Sequence, residues 1–368
     1  MKRLCILLGA VMLGTAPGVG LLPGTADATS TALLVGGHGE HAQLTEEEMS
    51  TALGGYFARY DTRIGVPFVD TGDYTTKLAV SADALYAAVY DTPGFETIGG
   101  VSEGAPAVSL VLNRLMYDRA HPEAGHVAPD PSDMNVAVYG YVSRMMFFGS
   151  GSRYVPLPVT PYDTLIVKAE YDGIADFPDR PLHLLAVVNA LMGAQELHVD
   201  AAYSDIMKQP TKYTITTNAL GGTTTTVLIP TPVLPLLTPL RDAGARPQVL
   251  ATMDRILRPI INTAYRRPRW QVGIPETVLA PVPSVPADAG PASIPASTVL
   301  PTRHTKKAPA VSEDDGAADH RRRADTTRSS RLVARLQHSL RHGQQDLPRR
   351  HAIPRRQDGV AQTGDHGG

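Results

Sequence analysis

Three side chains far apart in the sequence have the types and order needed to generate a reactive alkoxide: Ser102, Asp172 and His198. Ser102 lies in Gly100-Val101-Ser102-Glu103-Gly104, the pattern of a sharp strand-to-helix turn with a serine at its apex. The apolar run Phe95-Glu96-Thr97-Ile98 precedes it, and Pro106 to Met116 reads as the buried helix that follows. The glycines are needed because such a turn brings backbones too close for a Cβ. The helix N-terminus behind the serine carries N–H groups and a positive dipole end where an oxyanion would form. A serine hydroxyl is a weak nucleophile until a base takes its proton. Six of the 12 histidines fall from His304 onward, and among the rest only His198 follows both serine and acid outside a helix interior. The orienting acid is expected just past the strand Thr164–Ala169, in Tyr171-Asp172-Gly173-Ile174-Ala175-Asp176. Asp172 is the first choice and Asp176, one turn on, is its rival.

The elements that must hold these groups are legible as an alternation of strand and helix. Thr31 to Val35 is a β-type run ending in Gly36-Gly37-His38-Gly39, the place for a second oxyanion donor. The expected pair is the N–H of Gly37 or His38 with that of Glu103. Thr45-Glu46-Glu47-Glu48 carries a helix cap and acids in the first turn. A second strand is expected over Arg63 to Val69 and a helix over Leu78 to Tyr90. The helix Leu182–Met192 precedes His198, and two strands flank Gly221-Gly222 as a hairpin. Met145 to Phe148 reads as a core strand and loop, with an apolar wall for an acyl chain as the functional alternative. Pro230 to Tyr265 reads either as a lid or as packing at the domain edge. Strand–helix alternation of this kind predicts an α/β-hydrolase fold: a mostly parallel central sheet with helices on both faces.

Composition bounds the rest. From Pro301 onward there are 14 Lys+Arg against 8 Asp+Glu, and 20 against 28 before it, so the body is mildly acidic and nucleic acid is not an expected partner. Cys5 is the only cysteine, which leaves the body without a disulfide or a cysteine metal site. No His-Glu-x-x-His or carboxylate cluster of ligand spacing occurs, so no metal and no cofactor is expected. Lys2 and Arg3 precede an uncharged run to Thr25, and Ala26-Asp27-Ala28 offers a small-x-small cleavage site. Residues 1–28 are therefore expected to be a signal peptide or an N-terminal membrane anchor, with an exported, cell-envelope or secreted product. Residues 29–270 form the expected domain. Residues 271–368 turn Pro/Ala-rich and then basic, the composition of a linker and disordered tail.

These motifs resemble the PE-PPE domain family, a cutinase-like branch of the serine α/β-hydrolases of mycobacteria and relatives. The resemblance rests on the glycine loop at 36–39, the elbow at 100–105, Tyr171 to Pro178, Asn189-Ala190-Leu191 with His198 and Tyr203, and Leu234 to Arg241. It covers roughly Thr31 to Arg269, and departs from the family pattern around Pro129 to Tyr139, where the usual Gly-Gly stretch is missing. It implies an exported serine esterase or acyltransferase acting on fatty acyl esters, with trehalose-type envelope glycolipids as substrate class. The alternative is a non-catalytic envelope protein that binds lipid or glycan and keeps only the fold.

Overall fold

Nine strands join into one sheet in the computed structural model, which describes residues 28–69, 71–283 and 285–286. The strands are β1 (Ala28–Val35), β2 (Thr62–Val66), β3 (Phe95–Val101), β4 (Met134–Tyr139), β5 (Thr164–Ala169), β6 (Lys212–Thr217), β7 (Thr223–Ile229), β8 (Gln271–Val272) and β9 (Val285–Pro286). Their order is β2-β1-β3-β4-β5-β7-β6-β8, with β9 beside the start of β1. The central neighbours β2, β1, β3, β4, β5 and β7 are all parallel. The antiparallel partners are β6 with β7 and β8, and β9 with β1. The sheet is thus the expected mostly parallel α/β sheet.

Both faces are covered, which is why the central strands read as near-continuous apolar runs. Leu33 and Val35 point to one face with Ile98, Val136 and Val138. Onto them pack α2 (Tyr74–Asp91) through Leu78, Leu85 and Val89, and α3 (Ala105–Ala120) through Val108, Leu112 and Leu115. Ala32 and Leu34, one residue out of phase, point the other way with Ala137, Leu165 and Val167. That face is covered by α1 (Glu46–Gly55) through Met49 and Leu53, and by Tyr56, Phe57 and Ala201. A fully buried leucine in such a layer contributes about 2 kcal/mol relative to exposure. The Thr45 cap is present as a reciprocal box with Glu48.

Several boundaries differ from the sequence reading. Met145 to Phe148, expected as a core strand and its loop, lie instead in the helix α4 (Arg144–Ser150), because Phe147 is driven fully into the core while Phe148 is left outside. The segment 230–265 packs at the domain edge: Leu234, Leu237, Leu250 and Ile261 form a third cluster with Tyr171 and Ala186 of α5 (Leu184–Glu196). Past residue 270 the chain stays in the fold. Gln271–Val272 pairs with β6, Val278 is buried, and the Arg59 guanidinium holds the carbonyls of Val278 and Ala280 at 2.9 Å. The leader expected up to Ala28 falls almost wholly outside the described residues, as does the basic tail beyond residue 286.

Candidate active site

β1 hands the chain to β2 on one side, and the chain then crosses to β3 on the other, so the sheet reverses its direction of growth between β1 and β3. Open parallel sheets place their ligand crevice outside the strand ends at such a reversal. The loop 36–39 leaves β1 there, and Ser102 leaves β3 beside it. The two turns are in van der Waals contact. A Cβ on Gly37 would stand 3.2 Å from the Ser102 Cβ, and one on Gly104 would run into the Gly36 carbonyl oxygen.

Ser102 begins a short 3-10 turn that runs into α3, and its backbone is left-handed with φ +50°. For a residue with a side chain that conformation costs on the order of 1–3 kcal/mol, and it persists only where packing on both sides imposes it. The hydroxyl it presents lies 2.8 Å from His198 Nε2. His198 opens the short helix α6 (His198–Ala202), directly after α5, and is 6% exposed. Its Nδ1 lies 2.6 Å from Asp172 Oδ2. Asp172 follows β5, is fully buried, and accepts the Ile174 N–H on its other oxygen at 2.9 Å. With the proton on Nδ1, the imidazole donates to the carboxylate and accepts from the serine hydroxyl. Such a relay can take the serine proton as the oxygen attacks an electrophile.

Asp176, the rival acid, is brought elsewhere. Its carboxylate receives both terminal nitrogens of Arg267 at 2.7 Å, Lys168 Nζ at 2.8 Å and the Tyr171 N–H at 2.9 Å. Burial alone would push its pKa up, but the Lys168 and Arg267 charges outweigh it and hold the carboxyl below its ordinary value. Every lone pair of Asp176 facing the protein is thus committed to the β5 loop and the end of the domain, away from His198.

Of the two donors expected from the first loop, one amide is engaged within the loop. The Gly37 N–H donates to the His41 carbonyl at 2.7 Å, closing its own loop. His38 stands in the same loop beside Glu103, and the two side chains approach to 3.7 Å between His38 Nδ1 and Glu103 Oε2. Glu103 is held from behind, where the half-buried Tyr74 donates its hydroxyl to the Glu103 carbonyl at 2.9 Å.

Two supports for His198 have no counterpart in the sequence reading. Tyr139, the last residue of β4, donates its hydroxyl to the His198 carbonyl. Burial, with the Asp172 charge nearby, pushes its phenol well up, so it remains a neutral donor. Gly140 follows with φ +59°, and a Cβ there would stand 2.8 Å from the imidazole Cε1. The signal that could have found them is Tyr-Gly at the end of an apolar strand run, where a glycine marks close approach. Among the described residues no cluster of three His, Cys, Asp or Glu side chains could hold a metal ion, and no helix is long and apolar enough to cross a membrane.

The family model described as the PE-PPE domain matches residues 66–266. The chain is similar to an uncharacterized PPE family protein of Mycobacterium tuberculosis, PPE63, with 43% identity over 187 residues, 46% of this chain and 38% of that protein. It is also similar to the SL1278 acyltransferase Chp1 of the same organism, 34% identical over 226 residues, covering 58% of this chain and 54% of Chp1. The diacyltrehalose acyltransferase Chp2 of that organism is 32% identical over 189 residues, 45% of this chain and 52% of Chp2. The chain thus spans about half or less of the length of these relatives. No solved structure matches it.

Proposed function

The chain belongs to the PE-PPE domain family, and from that premise we propose that it is an exported serine enzyme of acyl esters, a transferase or hydrolase of envelope glycolipids. The observation that carries the reading is the continuous hydrogen-bonded line from Ser102 Oγ through His198 to Asp172, at 2.8 and 2.6 Å. The names of Chp1 and Chp2 support acyl transfer and a trehalose-type substrate. Export is supported by Lys2-Arg3 ahead of the uncharged run to Thr25, and membrane association through that run remains part of the proposal.

In the proposed mechanism Ser102 Oγ attacks the ester carbonyl carbon while its proton passes to His198 Nε2. Asp172 holds the imidazole in the Nδ1–H tautomer and stabilises the imidazolium that forms. The N–H groups of Glu103 and His38 meet the oxyanion of the tetrahedral intermediate; each such donor is worth about 3 kcal/mol of transition-state stabilisation. Collapse breaks the ester C–O bond, and His198 returns the proton to the departing alkoxide. The acyl group now rides on Ser102. Attack by water releases a fatty acid, whereas attack by a sugar hydroxyl makes a new ester, with His198 again as base.

Incubation of the purified protein with acylated trehaloses, followed by mass spectrometry, tests the reading. More heavily acylated products indicate transfer and free fatty acid alone indicates hydrolysis. Complete inertness towards these and towards p-nitrophenyl esters of graded chain length would contradict it.

A further inference from the structure

A cleft of about 590 Å³ lies along α4, with Phe147, Phe148, Tyr154 and Pro156 as its apolar lining and Arg144 and Arg153 beside them. The volume falls within the range of sites that enclose small molecules, roughly 300–1,000 Å³. Its floor is fixed. Phe147 is fully buried and its ring packs 5.2 Å from Tyr74 and 5.3 Å from Tyr154. Phe148, by contrast, stands 43% exposed. No acid lines the cleft. Arg144 lies 5.6 Å over the Tyr154 ring, and neither arginine has a carboxylate partner among the described residues. Arg59, Arg119 and Arg180 also have no carboxylate partner, but each donates to backbone carbonyls; Arg144 and Arg153 stand apart in lining one apolar cleft together. In a body with more acids than bases, two arginines without a carboxylate converging on one apolar cleft call for an anion from outside.

One chain of contacts connects the cleft to the residue after Ser102. Tyr74 touches Phe147 with its ring and holds the Glu103 carbonyl with its hydroxyl at 2.9 Å. Arg144, the first residue lining the cleft, follows Gly140, the residue against the His198 ring, by four positions.

We infer that this cleft binds an anionic amphiphile, its alkyl chain on Phe147, Phe148, Tyr154 and Pro156 and its phosphate, sulfate or carboxylate on Arg144 and Arg153. The anionic group belongs to the acyl ester or to the acceptor of the acyl group. This last assignment rests on the reading of Ser102 as nucleophile, whereas the binding itself does not.

Isothermal titration of the full chain carrying Ser102→Ala, so that nothing turns over, tests it with two single-chain probes kept below their micelle concentrations. Dodecyl phosphate should bind at least about tenfold more tightly than neutral dodecyl maltoside, a difference of about one charge-assisted hydrogen bond. Arg144→Gln with Arg153→Gln should bring the phosphate down to the maltoside level. Both side chains are exposed, and an unchanged thermal midpoint verifies folding. Should that pair fail to fold, Arg144→Gln and Arg153→Gln singly must each reduce the preference. Equal affinity for the two probes, or a preference that survives both substitutions, overturns the proposal. Binding to phosphatidylglycerol vesicles without binding of dodecyl phosphate monomers would also overturn it, in favour of a lipid surface. Failure of Ser102 to react with an active-site label would leave these titrations unaffected, so the two readings fail separately.

Discussion

Asp172 and Asp176 are both buried carboxylates on one loop, and what separates them is the charge each one meets. Asp172 faces a single imidazole and one backbone N–H, whereas Asp176 is enclosed by Lys168, Arg267 and the Tyr171 amide. Substitution to asparagine should therefore have opposite consequences at the two positions. Asp172→Asn keeps the shape and the Ile174 contact but imposes the wrong imidazole tautomer, and kcat should fall by about 10⁴ with little change in stability. Asp176→Asn strips the counter-charge from a buried bidentate pair, and should cost about 3 kcal/mol of folding free energy. Because the Asp176 pKa is lowered in the fold, its stabilisation is present above the unfolded carboxylate range. It is lost as pH falls through the folded value, so acid unfolding of the wild type should converge on that of Asp176→Asn. Ester turnover and denaturant midpoints of the two variants, measured side by side, distinguish these outcomes.

At the scale of elements, the end of β4 acts on the site without entering it. Tyr139 fixes the His198 carbonyl and Gly140 leaves room for the ring, so the imidazole is located by a strand on which no reacting group sits. Gly140→Ala should displace the ring by a few tenths of an ångström or more and strain a backbone at φ +59°. The expected loss is about 10²-fold in kcat, and a crystal structure of the variant with the ring unmoved would contradict this account. The same element shows what was legible in the sequence. That Ser102, Asp172 and His198 meet was legible because each sits where a periodic run ends: strand into helix, strand into loop, and just past the end of a helix. The choice between the two acids was left open because it depends on Arg267, 91 residues beyond Asp176. The helix α4 was missed because four consecutive apolar residues carry neither period, and burial of Phe147 alone decided the local geometry. The choice between the Gly37 and His38 amides was open in the sequence because the Gly37 bond to the His41 carbonyl is a property of the closed loop.

For the whole molecule, two covered sheet faces leave little tolerance for polar groups, and Glu96 on β3 is the clearest exception. It is 3% exposed, and its Oε2 has no hydrogen-bond partner among the described residues. Burial pushes its pKa well up, so the fold holds the proton more tightly than the unfolded chain does. Its contribution is fully present below the ordinary carboxylate range and is lost as pH rises above it. Glu96→Gln should therefore be more stable than the wild type at pH 7, by about 1 kcal/mol or more, with the gap closing near pH 4. Parallel stability profiles of the two proteins would contradict this. At its other end the same strand delivers Ser102, the proposed nucleophile. Treatment of the folded protein with a fluorophosphonate probe, followed by peptide mass spectrometry, should give a single adduct on Ser102, absent in Ser102→Ala. Folded protein that stays unlabelled, or is labelled elsewhere, would contradict the serine mechanism.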